Sequence, residues 1–188
     1  MDTLETRITI KRLHPLFVAE VNGSKDPAHR GRFTQEFLTA AGEAKRIDPT
    51  YVDPHTALVS YYKGRKEWAS AARVCEEALK AIPGNAEIED SAFKLGEIIV
   101  EETAQSGGAI NGPQLTLELL RSVVASNPEH SDAHREIARV ILFRLKDRPD
   151  LLPAAREHAQ KALDLQPAAR NYDVLAYAYF RLGQREKA

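Results

Sequence analysis

The chain has 188 residues, 43% of them hydrophobic, which is enough for one sizeable domain or one elongated array with an ordinary core and leaves no sign of disorder. Lys and Arg number 26 against 27 Asp and Glu, a net charge of -1, so a global electrostatic footprint for nucleic acid or membrane is excluded and a charged partner must be held by a local patch. Cys75 is the only cysteine, the start "MDTLETRITIK" has no apolar signal core, and no apolar run is long enough to span a bilayer, so no internal disulfide is possible and a cytoplasmic protein is expected.

Residues 1–25 read as an extended segment. Thr6, Ile8 and Ile10 alternate with Arg7, Thr9 and Lys11, and "LFVAEV" follows His14-Pro15, so two short strands joined by a turn are expected, a β-hairpin-like piece ahead of a helical domain over 26–188. A lone hairpin is marginal in water, so it should lean on the helices or on another chain. The stretch "LHPLFVAEVNG" is also similar to the opening of taurine-dioxygenase-type iron and 2-oxoglutarate oxygenases. That resemblance implies iron held by a His-x-Asp pair and a distant His on a barrel of strands. "EHSDAH" offers His130, Asp132 and His134, but it begins just after Pro128, where a helix should start. Ser131 or Asp132 is therefore expected as the helix cap and His134 as a first-turn residue, with His158, the only later histidine, on another helix. His130 and His134, four apart, would hold no more than a stray divalent cation.

No catalytic residue, metal site or cofactor is expected. "SGGAING" lacks the Lys-Ser/Thr of a phosphate loop and follows a helix, and Ser60 and Ser70 have no legible His and carboxylate partners.

From residue 26 onward the pattern is helical. Asp26-Pro27, Asp53-Pro54 and Gly112-Pro113 each place a capping residue before a proline suited to the first helical position. The stretch "EWASAARVCEEALKAIPGN", 67–85, turns only Ala71, Cys75 and Ala78 inward. So thin a stripe reads as a seat that lets neighbouring helix axes approach closely. Its ending recurs: helices stop at Pro49, Pro83, Pro128 and Pro167, with spacings of 34, 45 and 39 residues. The extra residues fall in "TAQSGGAINGP" (103–113) and "KDRPD" (146–150), which carry loop chemistry. Each unit should be two helices, as in 52–83, where the turn is expected at Gly64 with Tyr62 and Trp68 on either side.

On these residues the chain resembles the tetratricopeptide repeat family, whose 34-residue pattern is W-x2-L-G-x2-Y followed by A-x3-F-x2-A-x4-P. Leu58, Tyr62, Ala71, Cys75 and Ala78 fit one unit. Ile137, Ala138, Ile141, Ala155, Ala159 and Ala162 fit another, and Tyr172, Leu175, Ala176, Tyr179, Gly183 and Ala188 fit the last. The unit after Pro83 departs most: Leu95-Gly96 comes three residues late, and Thr116, Leu120 and Val123 replace its small residues. The resemblance spans about residues 33–188. It implies an all-α array of helical hairpins, a right-handed solenoid of about three full units with partial terminal ones.

In that family the first helices line a concave groove that takes an extended peptide or a partner's helix. Positions matching it here include Thr56 and Ser60, and the expected groove set is Lys63, Arg135, Arg139, Arg170, Tyr177 and Arg181. Arg135 and Arg139, four apart and expected to be exposed, suit an acidic segment or a C-terminal carboxylate. The Lys-Asn-Lys-Arg clamp of chaperone-binding members is not reproduced. The expected function is a non-enzymatic protein-interaction scaffold with a protein or peptide partner, no nucleic acid and no membrane. The alternative is an accessory domain of a larger enzyme, such as an iron and 2-oxoglutarate-dependent oxygenase. Ala188 matches the first small residue of a second helix, so the parent chain should continue, or the C-terminal end should self-associate to cover Leu175, Tyr179 and Leu182.

Overall fold

Where the sequence places alanine, two helices cross. The computed structural model describes residues 27–106, 111–184 and 186, and among them the structure is helical with no strand. The hairpin-like segment of 1–25, the oxygenase-like stretch and the Asp26 cap lie outside the described residues. The fold is an all-α helical repeat, divided into two compact units, one ending at Ile82 and the other beginning at Pro83.

The first unit contains α1 (Pro27–Ile47), α2 (Val52–Gly64) and α3 (Trp68–Ala81). α2 and α3 form a hairpin, and α1 packs on α2. Ala71, Cys75 and Ala78 are fully buried, as is Ala41 of α1, so the thin stripe is the closest part of the packing. Phe37, Leu58, Trp68 and Leu79 fill the volume around it. Burial pushes the Cys75 thiol up to about 12, which makes it an inert packing group. Lys45 of α1 meets Glu77 of α3 at 2.5 Å and lowers that carboxyl below its usual range. The α2–α3 turn differs from expectation by two residues. Gly64 ends the helix, and the left-handed residue is Lys66, φ 58°. Asp53 is not the cap of α2 either. It lies inside the first turn and accepts from the Tyr51 hydroxyl at 2.5 Å, while Tyr51 occupies the cap position.

The second unit contains α4 (Ala86–Ser106), α5 (Gly112–Ser126), α6 (Ser131–Arg139), α7 (Leu152–Leu165) and α8 (Ala169–Arg181). α4–α5 and α6–α7 are hairpins, and α8 packs on α7. Ile88, Ala92, Leu95 and Ile99 make the buried stripe of α4, against Leu117, Leu120 and Val123 of α5. The departure of this hairpin from the repeat pattern has a steric solution. The small residue missing from α5 is supplied by Gly96 of α4, where a Cβ would meet Leu120 and Thr116 at 3.4 Å, and the buried Thr116 hydroxyl donates to Gly96 O at 3.1 Å. Gly112 is not the α5 cap. Asn111 is, accepting from Gln114 N at 3.2 Å, and Gly112 is required because a Cβ there would lie 1.7 Å from Thr103 Oγ1. Ala155, Ala159 and Ala162 of α7 are fully buried, as the repeat pattern predicts.

One polar device recurs within the units. His55 Nε2 lies 2.9 Å from Pro49 O, and His134 Nε2 lies 3.1 Å from Pro128 O, each ring six residues beyond its proline. Both nitrogens face carbonyls, so both are protonated donors. The third instance is Asn171, fully buried, whose Nδ2 donates to Ala162 O at 3.0 Å and Gln166 O at 2.7 Å. At the fourth repeat end the residue six beyond Pro83 is Glu89, whose carboxylate accepts from Ser126 and Asn127, both at 3.0 Å. These side chains satisfy backbone and loop groups that burial would otherwise leave unpaired.

Candidate functional site

α4 and α6 are the first helices of successive hairpins and α8 follows the second hairpin, and the three present side chains on a common side. They line a groove of about 800 Å³ within the second unit. Its floor is apolar, with Val100, Val140 and Val174, one from each helical segment, all buried. Charged side chains form the rim. Glu97 and Glu101 stand on α4, Arg135, Glu136 and Arg139 on α6, and Arg170 and Asp173 on α8.

The end of α6 shapes the groove. Val140–Arg144 is a π turn, closed by Leu145 N to Val140 O at 3.0 Å, so the helix carries an extra residue and Phe143 is carried outward, 41% exposed. Its ring stacks on Tyr177 of α8 with centroids 4.7 Å apart and planes 15° from parallel. Arg181 donates to Leu142 O at 2.8 Å and to Lys146 O at 3.3 Å, satisfying carbonyls at the end of this turn. Beyond it, Arg144 and Lys146 line the groove with no ion-pair partner among the described residues.

The cations on the helices themselves are paired. Asp132 bridges Arg135 of its own helix and Arg170 of α8, the latter at 3.2 Å, and Arg170 also donates to Gln166 at 3.0 Å. Arg139 meets the buried Glu136 at 2.7 Å. The carboxylates of α4 differ: Glu97 and Glu101 have no ion-pair partner among the described residues. Burial, reinforced by the nearby Glu136 carboxylate, holds the Glu97 carboxyl above its usual range.

Of the residues expected in a groove, Arg135, Arg139 and Arg170 converge here. Arg135 corrects the expectation of exposure, since its side chain is only 12% exposed and is held by Asp132. Tyr177 stands beside the groove as the stacking partner of Phe143, and Arg181 bonds backbone. Lys63 is exposed on α2 in the first unit and is not part of this groove, and Thr56 donates to Asp53 O. Sequence reasoning missed Phe143, Arg144, Lys146, Glu97 and Glu101. The signal for the first three was the run of aromatic and basic residues at a first-helix C-terminus.

The residues weighed as iron ligands have other partners. His130, not Ser131 or Asp132, caps α6 by accepting from Ala133 N at 3.2 Å, and Ser131 donates to Ala162 O. His134 Nδ1 lies 2.8 Å from His158 Nδ1, so His134 meets α7 rather than His130. No group of three or more His, Cys, Asp or Glu side chains is arranged to hold a metal among the described residues. None of the described helices is long and apolar enough to cross a membrane. At the C-terminal end Leu175 is buried and Tyr179 and Leu182 are half-buried, so Leu175 is covered, contrary to expectation.

No family model and no curated protein sequence matches the chain. Among solved structures, one of the MamA protein aligns over 94% of this chain and 86% of its own at 16% identity, with a TM-score of 0.52. A second, MamA AMB-1, aligns over 97% and 87% at 18% identity with the same TM-score of 0.52. YrrB, described as a TPR protein with an unusual peptide-binding site, aligns more loosely, over 82% and 73% at 19% identity with a TM-score of 0.49. At such identities the likeness is one of fold: the chain resembles tetratricopeptide repeat proteins in its array of proline-terminated helical hairpins.

Proposed function

We propose that this protein is a non-enzymatic scaffold, working in the cytoplasm, that receives an extended segment of a partner protein in the groove of α4, α6 and α8. The observation that supports this reading is the groove itself. The three helices give it an apolar floor, a charged rim and a stacked aromatic pair, Phe143 exposed and Tyr177 half-buried. Such a surface offers burial to an apolar side chain and directional contacts to its neighbours. The arginines of α6 and α8 are held by Asp132 and Glu136, so an acidic residue of the partner meets Arg144 and Lys146, which have no ion-pair partner among the described residues, before it meets Arg135 or Arg170. The paired arginines instead keep the rim in shape.

Fluorescence anisotropy with a positional-scanning library of decapeptides tests this. Binding to the full chain should fall about tenfold in Arg144→Glu/Lys146→Glu and lose most of its salt dependence. Lys63→Glu, outside the groove, should change nothing. Binding that is indifferent to the first variant, or lost in the second, refutes the assignment.

A further inference from the structure

The groove rim is charged with both signs, and its unpaired charges are segregated. On α4, Glu97 and Glu101 are one helical turn apart, so they share a face, and neither has an ion-pair partner among the described residues. Glu97 is half-buried near the Glu136 carboxylate, a like charge that Arg135 and Arg139 only partly offset. At the end of α6, Arg144 and Lys146 are exposed and equally without an ion-pair partner. Val100, Val140 and Phe143 line the same groove and give it apolar surface, Phe143 with its ring stacked on Tyr177.

A ligand carrying only acidic side chains would satisfy Arg144 and Lys146 but would bring a third negative charge toward Glu97 and Glu101. A ligand carrying only basic side chains would have the opposite fault. One with both signs, separated by an apolar residue, removes both mismatches. It also relieves the repulsion between Glu97 and Glu136 that exists in the unliganded protein.

We infer that the groove selects an extended segment of basic, apolar, acidic order. Its basic side chain would be seated between Glu97 and Glu101, its apolar side chain over Val140 and Phe143, and its acidic side chain at Arg144 and Lys146. The inference rests on the groove being a peptide site and adds the chemistry of the peptide. Charge order then acts as the discriminator, because a segment in the wrong polarity meets like charges at both ends.

The test is an array of synthetic decapeptides in three sets, basic–apolar–acidic, acidic only and basic only, each with the apolar position varied, bound to the full chain. The two-signed set should bind about tenfold more tightly than either single-signed set. In Glu97→Lys/Glu101→Lys the preference should move to the acidic set. Combining it with Arg144→Glu/Lys146→Glu should restore preference for two-signed peptides in reversed order. Glu97→Gln/Glu101→Gln serves where the lysine pair fails to fold, and should abolish the advantage of the basic residue without creating a preference for the acidic one. If acidic-only peptides bind wild type as tightly as two-signed ones, or the Glu97 and Glu101 variants keep the wild-type preference, the charge-order inference is overturned and the groove remains a peptide site. If no set binds, or binding ignores every groove variant, the peptide-site reading fails and this inference with it.

Discussion

Acid should loosen the α6–α7 hairpin through two facing imidazoles. His134 uses its Nε2–H on Pro128 O, which leaves Nδ1 as an acceptor, so the 2.8 Å contact requires His158 to donate from its own Nδ1. Both rings are then neutral. The Pro128 carbonyl favours the charged form of His134, but burial outweighs it, and the nearby cationic groups, Lys161 and His130 for His134 and Arg121 for His158, add to the side of neutrality. Burial is the largest cause, lowering His134 and bringing His158 down to about 4 from an ordinary 6.5. As pH falls from about 6.5, the unfolded chain takes up a proton that the folded chain refuses until about pH 4. The stabilisation is therefore complete above 6.5 and lost progressively below it. At about 1.4 kcal/mol per pH unit the full shift of His158 corresponds to about 3 kcal/mol, and because its ring is partly open to water about 2 kcal/mol is the working figure. Urea unfolding followed by circular dichroism at pH 7, 6 and 5 should show wild type losing about 1–2 kcal/mol. His134→Gln/His158→Gln should lose clearly less, the remainder coming from His55, which burial also lowers. An equal pH dependence in the two proteins would refute the neutral-pair account.

The two packed glycines should behave differently. Gly112→Ala puts a methyl group on Thr103 and should cost about 2 kcal/mol, recovered in part by Thr103→Ala, whereas Gly96→Ala, at ordinary contact distance, should change stability by less than about 1 kcal/mol; thermal melts decide both. Asn171→Ala removes the donor to two carbonyls at the α7 C-terminus and should lower stability by about 2 kcal/mol in denaturant titrations. Arg181→Ala should raise amide exchange over residues 140–146 while leaving α4 and α5 protected, because only the end of the π turn loses its donor. Native Cys75 should react with a thiol reagent only at the rate of unfolding, which a stopped assay with and without urea can measure.

The sequence made the repeats legible because packing distance leaves a mark on composition. A helix seated against two neighbours needs Ala71 or Ala159 where it crosses, and four prolines mark the stops. The groove arginines Arg135, Arg139 and Arg170 could be placed because they stand on first helices at family positions. Their partners could not. Whether Arg135 is free depends on Asp132, three residues away along the helix, and on Arg170, which only the α6–α8 contact brings near. The π turn was equally hidden, since one extra residue inside a helix has no signature in hydrophobic spacing, yet it decides where Phe143 and Arg144 point. The caps failed for a related reason. Asp53, Gly112, Ser131 and Asp132 all have acceptable capping chemistry, and the choice among neighbours was made by which residue the tertiary packing left in the non-helical conformation. The α4–α5 hairpin was misaligned in the sequence because smallness had moved from one helix to the other, a compensation visible only across the contact.

The bonds from His55 to Pro49 and from His134 to Pro128 bear on where such an array can be divided. A cut at the proline, the boundary the repeat pattern advertises, would leave a carbonyl orphaned on one fragment and an imidazole on the other. The segment that closes its own hydrogen bonds is displaced by six residues from the segment that repeats in sequence. Gene duplication or grafting that respects chemistry would therefore join units after the polar residue of the first helix rather than before it. Asn171 sets the same rule at the last unit, where the junction must keep Ala162 and Gln166 with the helix that follows them. A hybrid array built on proline-to-proline modules would need the same polar residue at the head of whatever module comes next, so the interchangeable part of this protein is defined by its buried donors and not by its most visible motif.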